Sequence, residues 1–292
     1  MRWNTPVHES SVANSRSATD HWPMDNFQTS PPPSLSLWDR WPAPRILGLA
    51  ILLMATNFIL QMVFYTLIGG LFVPVLMGTI GGVILPLGWL AQRNHFPYRT
   101  DYSLTTPKPV TALLSGLVAL AALVPTSLLA QWSMSLHPPD PEWASFMAEN
   151  MPSGAVETGL AILTVVILAP LAEELIFRGF IHRLASRKWG PLAATVISAL
   201  IFGLIHGEPW YLFGLVGIGI VLALVYETTG SVLACWITHM VHNAVSLGMM
   251  LANSQPTSEV APVTITDGLI GAVSLMVLVV LLKTLHRLNK SY

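Results

Sequence analysis

Residues 171–178 read Leu171-Ala172-Glu173-Glu174-Leu175-Ile176-Phe177-Arg178, two adjacent carboxylates and a guanidinium inside an otherwise apolar helical pattern. A charge at bilayer depth costs about 2.5–3.5 kcal/mol near the centre on insertion scales, so it persists where it is paired or faces a wet cavity. Two further polar sets follow on apolar segments: Phe202-Gly203-Leu204-Ile205-His206 and His239-Met240-Val241-His242-Asn243. Carboxylates, imidazoles and an amide on separate apolar helices point to hydrolytic chemistry inside a membrane.

The rest of the chain agrees with a membrane setting. Of 292 residues, 53% are hydrophobic and only 10% charged, with a mean hydropathy of +0.60. A soluble domain carries roughly 25% charged residues, so the shortfall excludes an ordinary globular protein. The net charge of -1 gives no footprint for nucleic acid. The single cysteine, Cys235, excludes an intrachain disulfide and a Cys-rich zinc site; on an apolar helix it reads as a small core residue.

Apolar runs of about 20 residues read as spanning helices. They fall near 46–68, 70–91, 110–133, 157–181, 191–207, 210–227, 231–252 and 267–285, which predicts an all-α polytopic bundle of about eight transmembrane helices. Gly78, Gly81, Gly82 and Pro86 predict a kinked or closely packed second span. The Gly-rich sixth span, with Gly214, Gly217 and Gly219, reads as a tight packing helix or a re-entrant segment. Residues 142–152 are expected to form a short interfacial helix.

Four regions follow: a disordered cytoplasmic tail at 1–44, N-terminal transmembrane helices at 45–135, a core at 155–250, and a last span with a short basic tail at 265–292. The tail is rich in Ser, Pro, Asn and Thr and has no apolar run, so it is no secretory signal; Trp22, Trp38 and Trp41 suit an interface. Lys and Arg fix the orientation. Arg40 and Arg45, then Arg93, Arg99 and Lys108, then Arg183, Arg187 and Lys188, and finally Lys283, Arg287 and Lys290 all fall on one face of an eight-span chain. By the positive-inside rule that face is cytoplasmic, with both termini.

Adjacent helical residues point about 100° apart, so Glu173 and Glu174 are expected to serve different tasks. Glu174 and Arg178 are four apart with the acid first, the favoured order for a helical ion pair. Glu173 is then free to meet other helices; the competing reading pairs both glutamates with Arg178 and Arg183. Phe202 lies one turn before His206 and suits a packing role against its ring, while Gly207 allows close approach of a chain. His239 and Asn243 share a face and offer two donors to a developing oxyanion, or else hydrogen-bond glue between helices. His182, at the basic end of its span, reads as interfacial.

At this point the chain resembles the CPBP family of intramembrane proteases, which includes CAAX prenyl endopeptidases and bacteriocin-processing or immunity proteins. The resemblance covers about residues 155–250 and rests on Glu173, Glu174 and Arg178, then Phe202 and His206, then His239 and Asn243. It implies an endopeptidase in which Glu173 and His206 activate water and His239 and Asn243 stabilise the oxyanion. Glu174, Arg178 and Phe202 would support them. Family members are often labelled metalloproteases, and Glu173, His206 and His239 make up the His₂Glu composition of catalytic zinc sites; zinc-dependent and metal-free schemes both stay open. The implied partners are the lipid bilayer and a membrane-associated peptide or protein, prenylated or leader-bearing, in a bacterial plasma membrane.

Two readings compete with a protease. Intramembrane Glu, His and Arg also mark proton paths in transporters, although here they occupy only the second half of the chain. A non-catalytic immunity or binding factor could keep the same fold. One geometric tension also stands: counting rise per residue places Glu173 and His239 at moderate depth but His206 nearer the outer face, unless the fifth span extends into the cytoplasm at Gly190-Pro191.

Overall fold

The computed structural model describes residues 35–253 and 263–290. These residues fold as helices, with no strand among them. Seven helical stretches are long and apolar enough to cross a bilayer. They begin with α1 (Ala43–Ile68), α2 (Phe72–Asn94) and α3 (Pro109–Leu136). The short helix α4 (Pro141–Glu149) follows, as expected for 142–152. Asp140 caps its start by accepting from the Glu142 backbone N–H at 2.8 Å.

The fourth long stretch, Gly154–Ile205, has 52 residues. A straight helix of that length would extend about 78 Å, far beyond a hydrocarbon core of about 30 Å. Gly190 breaks it, with φ 84° and ψ 169°, a backbone conformation open to glycine. Contacts then pair residues on either side of that position. His182 Nδ1 lies 3.1 Å from Ser198 Oγ, and the Phe177 and Phe202 rings are 5.2 Å apart. In a straight helix those pairs would be separated by about 24 and 38 Å. The chain therefore reverses at Gly190 into antiparallel arms, α5 (154–189) and α6 (191–205). Pro191 opens α6, where a missing N–H costs nothing. With the arms counted separately, the described residues contain the eight apolar helices expected from the sequence.

The remaining spans are α7 (Pro209–Thr229), α8 (Val232–Asn253) and α9 (Ile265–Lys290). Helix α3 packs against α7, α8 and α9, while α1 pairs with α2 and leans on α5. Leu67, Leu113 and Val280 stand exposed on α1, α3 and α9. Such outward apolar side chains are at home in lipid, where backbone groups must be satisfied within helices. Glycines set the tightest approaches. A Cβ on Gly214 would lie 2.8 Å from Ala130 Cβ, and one on Gly219 would lie 3.0 Å from Ala199 Cα. Helix α7 is thus the tight packing helix of the two readings given for the sixth span.

The basic clusters gather at one end of the bundle. Arg40 donates to Asn94 O at 3.2 Å, Arg183 donates to Asp101 O at 2.6 Å, and Lys283 and Arg287 share a surface recess with Thr228. Residues 35–42, assigned by composition to the tail, are built into this end. Leu37 and Trp38 are buried, Trp38 Nε1 donates to Asp101 O at 2.9 Å, and the Arg183 guanidinium sits 4.2 Å over the Trp38 ring. The tail boundary at 44 is therefore too late; two apolar residues in the polar run carried the signal. Trp22 and the rest of 1–34 lie outside the described residues.

Candidate active site

Helix α5 positions both glutamates. Glu174 and Arg178 are fully buried, and Arg178 Nη1 donates to Glu174 Oε1 at 2.9 Å, as the spacing predicts. Arg178 Nη2 donates to Gly219 O at 2.9 Å, so a close-packed glycine of α7 supplies the guanidinium's second acceptor. The Arg178 guanidinium also lies 5.3 Å from the Phe202 ring centroid. A buried charge pair needs such extra partners to offset desolvation.

Glu174 has a second partner that helix spacing does not reveal. Its Oε1 accepts from His239 Nδ1 at 2.8 Å. Glu173 Oε2 stands 3.8 Å from Nε2 of the same imidazole. The adjacent carboxylates thus converge on one ring from its two nitrogens. The expectation that they serve wholly separate tasks needs correction to this extent: they differ in burial, Glu174 closed and Glu173 open to a cavity, but they share His239.

Helix α6 brings in His206 from across the hairpin. Its Nδ1–H donates to Phe202 O at 2.6 Å, and the Phe202 ring lies 4.7 Å from the imidazole. That bond fixes the tautomer and leaves Nε2 as the basic nitrogen. Glu173 lies 17 residues before Gly190 and His206 lies 16 after it. Nearly equal counts from a common turn put them at similar depth, which removes the tension over His206. Gly207 takes φ 69°, with open space where a Cβ would stand.

Asn243 on α8 donates through Nδ2 to Val165 O at 2.9 Å. About two turns earlier on α8, Trp236 Nε1 donates to Ile167 O at 2.8 Å. Both acceptors lie in a π-helical turn, Ile162–Leu168, just before the glutamates. Wide turns displace backbone carbonyls from regular helical bonding and often occur at functional sites. Here those carbonyls orient two side chains of α8. Asn243 Nδ2 keeps a second N–H.

These residues line a cavity of about 470 Å³ that holds Glu173, Phe202, His206, His239 and Asn243. His242 also borders it, and its Nε2 lies 3.3 Å from Thr126 Oγ1. Among the described residues no three His, Cys, Asp or Glu side chains converge closely enough to hold a metal ion. The Glu173, His206 and His239 set shares the composition of a zinc site without that convergence.

Other expectations fall outside the cavity. His182 is fully buried rather than interfacial; besides Ser198 it meets Glu227 Oε1 at 2.7 Å through Nε2. The hairpin extends beyond it, so the basic end of α5 lies past His182. Arg183 bonds Asp101 O and Ser103 Oγ, not a glutamate. Cys235 is a buried core residue. Two cavity-lining amides went unnoticed in the sequence, Asn57 and Gln61 on α1; amides within an apolar span were the available signal.

A cavity lined by a carboxylate, imidazoles and amides, enclosed by apolar helices, fits an integral membrane protein. Residues 155–245 match the family of Rce1-like type II CAAX prenyl endopeptidases, about a third of the chain and the part that holds the cavity's glutamate, histidines and Asn243. An uncharacterized protein of Mycoplasma capricolum is 29% identical over 98 residues, 32% of this chain and 28% of that protein. The UPF0177 protein YbdI of Lactococcus lactis is 28% identical over 99 residues, 34% of this chain and 53% of that protein. The matched segment thus spans about a quarter to a half of these relatives. No solved structure matches.

Proposed function

We propose that this protein is an intramembrane endopeptidase that hydrolyses a peptide bond of a membrane-associated substrate. The observation that carries the reading is the division of labour around His239. The buried Glu174 holds Nδ1 at 2.8 Å, while the cavity-facing Glu173 stands 3.8 Å from Nε2. A purely structural ion-pair network has no need of a second, cavity-lining carboxylate.

In this scheme a water in the cavity is polarised by the Glu173 carboxylate and His206 Nε2. Glu173 takes the proton as water oxygen attacks the scissile carbonyl. The tetrahedral oxyanion accepts from His239 Nε2–H and from the free Nδ2–H of Asn243. Such preorganised donors act where charge develops. Glu174 accepts from Nδ1 and so orients the ring with Nε2 toward the cavity. The C–N bond then breaks as Glu173 returns its proton to the leaving amine. Arg178 and Phe202 fix Glu174 and His206.

No step is routed through a metal, because the donor set as arranged does not fit one. The family supports substrates presented at the membrane, with a prenylated C-terminus or an apolar leader as the two classes to test. The bacterial relatives favour a plasma membrane, and the gathered Lys and Arg favour both termini in the cytoplasm. Terminal proteomics of cells carrying the wild type or Glu173→Ala tests the reading. New N-termini or new C-termini of membrane-associated proteins should be lost in the variant; identical profiles of both kinds of terminus would count against proteolysis.

A further inference from the structure

The N-terminal helices carry none of the motifs above, yet α1 contributes two amides to the cavity. Asn57 and Gln61 line it together with Glu173 and His239. They are one turn apart, and Gln61 Nε2 donates to Asn57 Oδ1 at 3.1 Å. Neither side chain makes a hydrogen bond to another helix among the described residues. The pair therefore keeps an N–H₂ group on Asn57 and an acceptor oxygen on Gln61 beyond its internal bond. An amide inside a span that served as interhelical glue would bond across to the neighbouring helix.

The neighbouring helix is shaped to hold this pair in place. A Cβ on Gly82 would lie 2.5 Å from Asn57 Cα, and one on Gly78 would lie 2.5 Å from Gln61 Cγ. Thr56 Oγ1 donates to Gly82 O at 3.0 Å, within the π-helical turn Ile80–Ile84 of α2. Two glycines and a wide turn thus seat α1 against α2 at the level of the amides. That seating leaves the pair its polar edge on the cavity.

We infer that Asn57 and Gln61 bind the main chain of the substrate, as a donor-and-acceptor pair in the cavity that Glu173 also lines. This deepens the endopeptidase reading and rests on it. A helical segment hides its carbonyls in internal bonds, so the stretch to be cut must open into an extended form. Opened peptide groups have no water to satisfy them at membrane depth and need protein partners. One amide side chain can offer N–H to a substrate carbonyl while the other accepts a substrate N–H, with no demand on side-chain identity. Asn57 and Gln61 are therefore positioning residues, which act on affinity for the unwound segment rather than on bond cleavage.

The test uses full-length protein in proteoliposomes. The probe is a quenched-fluorescent peptide with a farnesylated cysteine followed by three apolar residues. Asn57→Leu and Gln61→Leu should each raise KM about five- to tenfold, the scale of a lost hydrogen bond, with kcat within about twofold; the lipid-exposed control Phe58→Leu should match the wild type. A second arm needs no variant. Backbone-ester replacement at single positions flanking the cleaved bond should raise KM for the wild type, and should add nothing further in Gln61→Leu at one of them. Glu173-dependent cleavage with unchanged KM in both variants, or with no sensitivity to any ester, would overturn the amide proposal alone. If the wild type fails to cleave the probe and Glu173→Gln also fails to bind it, the farnesyl-peptide reading is overturned and the amide proposal with it.

Discussion

His239 Nδ1 stands 2.8 Å from Oε1 of Glu174, and the same oxygen accepts from Arg178 Nη1 at 2.9 Å. One carboxylate oxygen therefore joins a helical ion pair to the candidate oxyanion donor on another helix. Arg178→Ala would leave a buried carboxylate without its guanidinium. Breaking one side of a buried pair costs about 3–5 kcal/mol, so the variant should show a clearly lowered melting midpoint in detergent and poor recovery. Arg178→Lys should rescue it only in part, since a lysine cannot also reach Gly219 O with a planar fork.

Glu173 lines the cavity and forms no ion pair with an arginine among the described residues, so its removal should spare the fold. Glu173→Gln should lower kcat by about 10²–10⁴, the usual contribution of a general base. Its melting midpoint should stay with the wild type. A parallel loss of stability would place Glu173 in the structure rather than in the reaction.

The oxyanion donors predict a different signature. Asn243→Ala removes one donor and should lower kcat by about 10²–10³, with KM little changed. Because Asn243 also donates to Val165 O, Asn243→Asp tests hydrogen-bond donation against side-chain size. It keeps the size but loses both N–H groups, and should be as inactive as the alanine variant. Activity near wild type in Asn243→Asp would rule out hydrogen-bond donation as its role.

Glu208 sits outside the spans, where burial pushes its carboxyl above the usual range despite the Trp143 hydrogen bond and the nearby His206. A carboxyl raised on folding favours the folded state least once it is ionised. That group's contribution is intact below the unfolded carboxylate value and is lost as pH rises through the folded one. Glu208→Gln should therefore raise the melting midpoint at neutral pH and lose that advantage in mild acid. Melting curves of both proteins across that range check the sign.

The metal-free scheme predicts that strong chelators leave activity unchanged and that the purified active protein holds less than stoichiometric zinc. Activity lost on chelation and restored by zinc alone would require Glu173, His206 and His239 to rearrange into a metal site.

Much of this architecture was legible because lipid imposes simple rules on a chain. Apolar runs located every span, and the Lys and Arg clusters that were assigned to one face do gather at one end. The Glu174–Arg178 pair followed from helix spacing. What spacing could not show was the turn at Gly190, which makes Glu173 and His206 neighbours in depth although 33 residues separate them. Nor could it show that His239 would lie between two adjacent carboxylates, because that depends on how α8 packs on α5. The order of residues 37–38 was hidden by a polar context, and the cavity role of Asn57 by distance from every motif.

The central claim is peptide-bond hydrolysis by Glu173. It is tested most directly by mass spectrometry of products from a membrane-anchored peptide incubated with proteoliposomes of wild type and of Glu173→Gln at equal folded protein. The account predicts one defined cleavage in the wild type, with oxygen from ¹⁸O-water in the new carboxyl group, and none in Glu173→Gln. The same cleavage at the same rate in both proteins would contradict it.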